Sequence, residues 1–198
     1  MLKNNSTGNK SLTRKIMTLQ RKMFTTVLFV VLLITTAQGQ QQPVFPVPTG
    51  IPNMLFYLQR TPNANTIVCE LNHNNGVLND EDPVHVFWIR YTENGVKQEL
   101  NFIQRKFAYG IKTRKIADGQ YELHFVSYKK QKFILRKDAD GHYRTFAVIN
   151  GKQAILNKVY LHINGGSFWS PNVEYVELTG KDPSTGTEVK ERKKISQP

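Results

Sequence analysis

The chain has 198 residues, 39% of them hydrophobic, one cysteine and a formal net charge of +12. A single cysteine excludes an intrachain disulfide, and the basic residues are scattered or paired with Glu and Asp instead of gathered around exposed aromatics, which speaks against a nucleic-acid surface. Much of the charge sits at one end: residues 1–37 hold six basic residues and no acidic one, and without them the net charge falls from +12 to +6.

That first stretch has the three parts of a signal peptide. Lys10, Arg14, Lys15, Arg21 and Lys22 form a basic start, and Met23 to Ile34 is an apolar run broken by Thr25 and Thr26. The run falls short of the about 20 residues that a bilayer span needs, so no stable anchor is expected after cleavage. Thr35 with Ala37 suits a cut before Gln38, and Ala37 with Gly39 a cut before Gln40. The basic part is long for a leader, and Met17 would be a more ordinary start. The expectation is an exported protein, periplasmic or secreted, with residues 1–37 removed.

Residues 38–52 carry Pro43, Pro46, Pro48 and Pro52 and read as an extended linker, with Val44, Phe45, Val47 and Ile51 able to dock. From 53 to 180 the pattern is one of short runs between turn signals. Strands are predicted at Met54–Arg60, Thr66–Leu71 and Val84–Tyr91, with a polar loop from His73 to Pro83. Cys69, inside an apolar run, is expected to be buried. Leu100, Ile103 and Phe107 recur at helical spacing, which predicts one amphipathic helix from Gln98 to Tyr109, stopped by Gly110. Further strands are predicted at Tyr121–Phe125, Phe133–Arg136, His142–Ile149, Ala154–Ile163 and Val173–Leu178, with Asp140-Gly141 and Asn150-Gly151 as hairpin turns. Residues 181–198 read as a polar tail. The expected fold is all-β: an antiparallel meander in a strongly curved or closed, barrel-like sheet, with one principal helix.

Several segments resemble an uncharacterised secreted bacterial family, domain of unknown function 4833. They are Phe56 to Arg60, Pro62 to Val68, Pro83 to Arg90, Leu100 with Ile103 to Gly110, and Val173 to Gly180. The resemblance implies a bacterial envelope or secreted protein and brings no substrate, cofactor or catalytic residue with it.

Arg60 and Arg105 each follow a glutamine and an apolar approach, and with Tyr109 and Trp169 they make a candidate ligand mouth. Arginine forks suit carboxylate or phosphate, and the aromatics supply amphipathic area, so an anionic or amphipathic small ligand is the expected partner, with an envelope protein as the other. The competing role is structural: Arg60 and Arg105 bind Glu70 or Glu99, or backbone carbonyls, and brace the helix against the sheet. The five histidines have no metal-ligand spacing, Asp80, Glu81 and Asp82 lack the order of a calcium loop, and Ser127, Ser167 and Ser170 lie outside any nucleophile turn. No cofactor is expected. A non-catalytic binding domain is favoured, and the alternative is a small hydrolase assembled on the same sheet.

Overall fold

The computed structural model describes residues 45–167 and 170–195. All belong to the second of two compact units, 44–198. The expected leader, residues 38–44 of the expected linker and Trp169 lie outside the described residues.

The described chain is mainly β. Strand β1 (Met54–Arg60) pairs antiparallel with β2 (Thr66–Leu71). A small hairpin, β3 (His73–Asn74) and β4 (Val77–Leu78), fills the predicted polar loop and turns on Asn75 and Gly76, both at positive φ. Strand β5 (Val84–Arg90) pairs with β2 and with β6 (Val96–Glu99). The second arm is a meander of β7 (Ile111–Ala117), β8 (Gln120–Phe125), β9 (Tyr128–Lys137) and β10 (Tyr143–Ile149). Asn150-Gly151, with φ of 51° and 75°, then turns the chain into β11 (Lys152–Gly166). Strands β12 (Pro171–Lys181) and β13 (Glu188–Lys194) complete the sheet.

The sheet is neither closed nor strongly curled, so the barrel-like expectation is overturned. Fifteen-residue β11 is long enough to take different neighbours along one side: β10 antiparallel at Lys152–Ile155, then β1 parallel at Lys158–Leu161. Its other side holds β12. The sheet therefore branches at β11 into two arms, and β6, β7 and β13 remain edges. The parallel β1–β11 pair also departs from the expected all-antiparallel meander, since it joins residues about 100 positions apart, a pairing that local turn signals cannot encode.

One core serves both arms. Phe56 of β1 meets Phe125 of β8 at 6.1 Å and Phe133 of β9 at 5.7 Å between ring centroids. Ile67, Leu123, Leu135, Leu156 and Leu178 are fully buried around them. Cys69 is buried and free, and burial pushes its thiol pKa up. A smaller cluster of Val68, Phe87 and Ile89 lies apart from this core and is covered by Ile51, Met54, Tyr57 and Tyr91. The end of the linker docks beside the sheet. Gln59 Nε2 donates to the Pro46 carbonyl at 2.7 Å, and Phe45 packs on Tyr160.

The predicted helix from Gln98 to Tyr109 is replaced by three things. Residues 96–99 are strand, Leu100 is buried, and 102–108 form a single helical turn that is π-wound at Gln104–Ala108. Asn101 and Gln104 exchange backbone N–H donors to each other's side chains at 2.9 and 3.0 Å, a capping box that starts the turn. Gly110 ends it as expected, because a Cβ there would come within 2.0 Å of the Arg105 carbonyl oxygen. The apolar spacing misled because only Leu100 faces the core; Ile103 and Phe107 are exposed. The segment after 180 is polar as expected, and in addition it returns along β12 as strand β13.

Candidate functional site

The two arms do not meet along their whole length. Between them, at the end where β1 stops and β9 begins, lies a cleft of about 1020 Å³. Its walls are apolar: Leu58 of β1, Phe125 and Phe133 of the second arm, Val159 and Leu161 of β11, and Val176 of β12. Ser127, Tyr128 and Gln131, the 163–167 stretch, and Phe107 to Tyr109 rim it. The described lining carries no carboxylate, imidazole or thiol; its hydroxyls are those of Tyr109, Ser127, Tyr128, Ser167 and Ser170.

One cation lies on this wall. Period-two alternation along β1 sends Leu58 and Arg60 to the cleft, while buried Gln59 points the other way to Pro46 and Thr66. The Arg60 guanidinium sits 5.6 Å from the centre of the Tyr109 ring, and its Nε is sealed from water with no hydrogen-bond partner. Among the described residues no carboxylate pairs with it; Glu70, the partner expected from the sequence, is taken by His85 and Lys97. Tyr109 is buried edge-on against Trp88 at 5.1 Å. That burial raises its phenol pKa, with the Arg60 charge and hydrogen bond opposing the rise.

Arg60 and Tyr109 are thus brought together, as the sequence suggested. Arg105 is not with them: it lies on the outer side of the helical turn, with Nη2 3.4 Å from Glu99 Oε2, and does not line the cleft. It plays the bracing role, because the turn directs its side chain back toward the end of β6. Trp169 lies outside the described residues, although its neighbours Ser167 and Ser170 line the cleft. Sequence reasoning missed Tyr128, Gln131 and the Leu161 wall. The alternation of β9 and β11 was the available signal, but only the branch at β11 shows which faces converge.

A second polar cluster lies outside the cleft. His85 is placed between Glu70, directly opposite on β2, and Glu99 of β6, with Nδ1 3.0 Å from one carboxylate and Nε2 2.9 Å from the other. Both ring nitrogens can donate only in the imidazolium form. Burial disfavours that charge, but the two carboxylates outweigh it and raise the pKa above the usual histidine value. Asp80 accepts from the Tyr121 hydroxyl and from Lys115, which ties the 72–83 connection to the second arm and holds its carboxyl below the usual range. Among the described residues no group of His, Cys, Asp and Glu is arranged to hold a metal ion, and no helix is long and apolar enough to cross a membrane.

Residues 56–192 match the family described as Domain of unknown function (DUF4833), and the chain belongs to that family. Neither the curated proteins nor the solved structures contain a match to it.

Proposed function

We propose that this member of the domain-of-unknown-function-4833 family is a non-catalytic binding domain of an exported bacterial protein, and that its cleft holds an amphipathic ligand with one anionic group. A single observation carries the reading: a partly sealed guanidinium without a carboxylate stands on the wall of an otherwise apolar cleft. A desolvated cation is costly to keep and is tolerated where a ligand supplies the counter-charge. Arginine matches carboxylate or phosphate through two parallel donors, and the Phe and Leu walls suit an alkyl or aromatic body. The cleft is at the upper end of the roughly 300–1,000 Å³ usual for small-molecule sites, so a ligand with an extended apolar body fits better than a bare anion. Export rests on the leader of residues 1–37, whose expected cleavage product begins at Gln38 or Gln40.

The test compares dodecanoate with dodecanol, both below their aggregation limits, by calorimetry. Dodecanoate should bind more tightly. Arg60→Met should weaken dodecanoate by about 10- to 100-fold, the worth of one charge-assisted contact, and leave dodecanol unchanged. Equal loss for both probes, or no binding of either, would sink the reading.

A further inference from the structure

The helical turn at 102–108 exposes what the predicted helix was expected to bury. Phe102, Ile103 and Phe107 are 71, 43 and 53% exposed, three large apolar side chains within six residues of one capped turn. Single exposed apolar residues need no explanation, but a cluster projecting from one turn does. The turn is held rigidly from below. The Asn101–Gln104 box fixes its start, the Ser127 hydroxyl donates to the Ala108 carbonyl at 2.6 Å, and the Val126 N–H donates to the Gly110 carbonyl at 2.9 Å.

Lysines lie on the turn and on the strands that adjoin it. The Lys106 ammonium lies 5.2 Å from the Phe102 ring centre and 5.4 Å from that of Phe107. Lys112 opens β7 two residues beyond Gly110, and Lys129 and Lys130 open β9 just after the Val126–Ser127 contact. All four lysines are exposed, and none has a carboxylate partner among the described residues. Some exposed cations elsewhere on the sheet are neutralised across strands, as Arg114 and Lys132 are by Glu122. An apolar tip with Lys106 lying over its rings, and further unneutralised lysines on the adjoining strands, is complementary to a surface that is greasy within and negative at its border.

We infer that the turn at 102–108 is a membrane-docking element, which inserts Phe102, Ile103 and Phe107 among the acyl chains of an anionic phospholipid surface while the four lysines meet the headgroups. The two terms cooperate: side chains of this size contribute through apolar area, and each lysine near an anionic leaflet adds electrostatic attraction. A long lysine stem lets Lys106 lie against the rings and keep its charge at headgroup level. The inference goes beyond the cleft reading and stands without it, since neither Phe102 nor Ile103 lines the cleft.

The experiment places an environment-sensitive fluorophore on the full chain carrying Phe102→Cys. Cys69 is fully buried, so labelling is selective. The control is Val77→Cys in the β3–β4 hairpin. The expected result is a blue shift and an about 3-fold or greater rise in emission at position 102 on mixed phosphatidylcholine–phosphatidylglycerol vesicles, little change on phosphatidylcholine alone, and none at position 77. Exchanging Lys106, Lys112, Lys129 and Lys130 for Glu should raise the lipid concentration needed by at least about 10-fold. A label at 102 that stays water-like on vesicles with which the chain floats would overturn the inference, as would equal responses on both lipids or at both positions. So would a lipid-free response that grows with protein concentration, which would mean that a second copy covers the patch. Arg60→Met in the labelled chain should leave the response intact, so failure of the cleft reading and failure of this one are told apart.

Discussion

Arg192 and Arg60 both hold a guanidinium close to a tyrosine ring, and they differ in what else they touch. Arg192, on edge strand β13, lies 4.1 Å from the Tyr175 ring centre and places Nε and Nη2 3.2 and 3.0 Å from Glu177 Oε2. Arg60, on central strand β1, has its tyrosine and no carboxylate among the described residues. The first cation is balanced within the fold and reads as structural. The second has no counter-charge among the described residues. Identical side-chain chemistry therefore carries different information, and the counter-charge decides which.

The largest expected effect falls on the balanced side. Glu177 is 5% exposed, and Arg192→Ala removes the cation 3.0 Å from its carboxylate, where Lys190 lies at 3.8 Å. Breaking a fully buried pair costs more, but Arg192 is half exposed, so a loss of about 2 kcal/mol in urea unfolding is expected. No change in dodecanoate affinity should accompany it. A loss of affinity as large as that of Arg60→Met would erase the contrast.

His85 offers a balanced cation that can be switched off. Its folded-state pKa is raised, so its stabilising contribution is fully present below the unfolded value near 6.5 and is lost as pH rises through the higher folded value. His85→Gln should cost about 1 kcal/mol at pH 5.5 and less at pH 9. Chemical unfolding at the two pH values checks the sign, and a larger cost at pH 9 would contradict it.

The unbalanced cation should behave in the opposite way. Arg60→Met removes a partly sealed charge that has no counter-ion, so unfolding stability should hold or rise by up to about 1 kcal/mol while anion binding falls. Destabilisation comparable to that of Arg192→Ala would place Arg60 among the structural arginines. The smallest effect belongs to Arg105→Ala. Its pair with Glu99 is exposed on both sides, so about 0.5 kcal/mol or less is expected by thermal unfolding, with cleft binding unchanged.

The strands that bury one face were legible in the chain. Tyr121, Leu123 and Phe125 alternate with Glu122 and His124, and all three apolar side chains are buried in β8. Asn150-Gly151 adopts the two positive φ angles that such a hairpin turn needs. The edge strands were not legible, and the reason is physical. Strands β6, β7 and β13 are exposed over most of their length and carry lysine, arginine and glutamate, so no core face imposed an apolar period on them. The 98–109 segment failed for the converse reason: an apolar period was present, but beyond Leu100 it served a turn that leaves Ile103 and Phe107 exposed.

By itself the sequence determined the β-rich class, the family, the buried Cys69, and the cation–tyrosine pair at Arg60 and Tyr109 as candidates. These depend on local chemistry: residue type, spacing and turn propensity. Tertiary structure alone decided that the sheet branches instead of closing, that the arms leave a cleft, and that Arg105 pairs with Glu99 while Arg60 finds no carboxylate. Each of those outcomes turns on which distant strand lies beside β11, and on where each carboxylate is used up. Contacts between residues a hundred positions apart leave no trace in local periodicity, so only the folded chain could assign them.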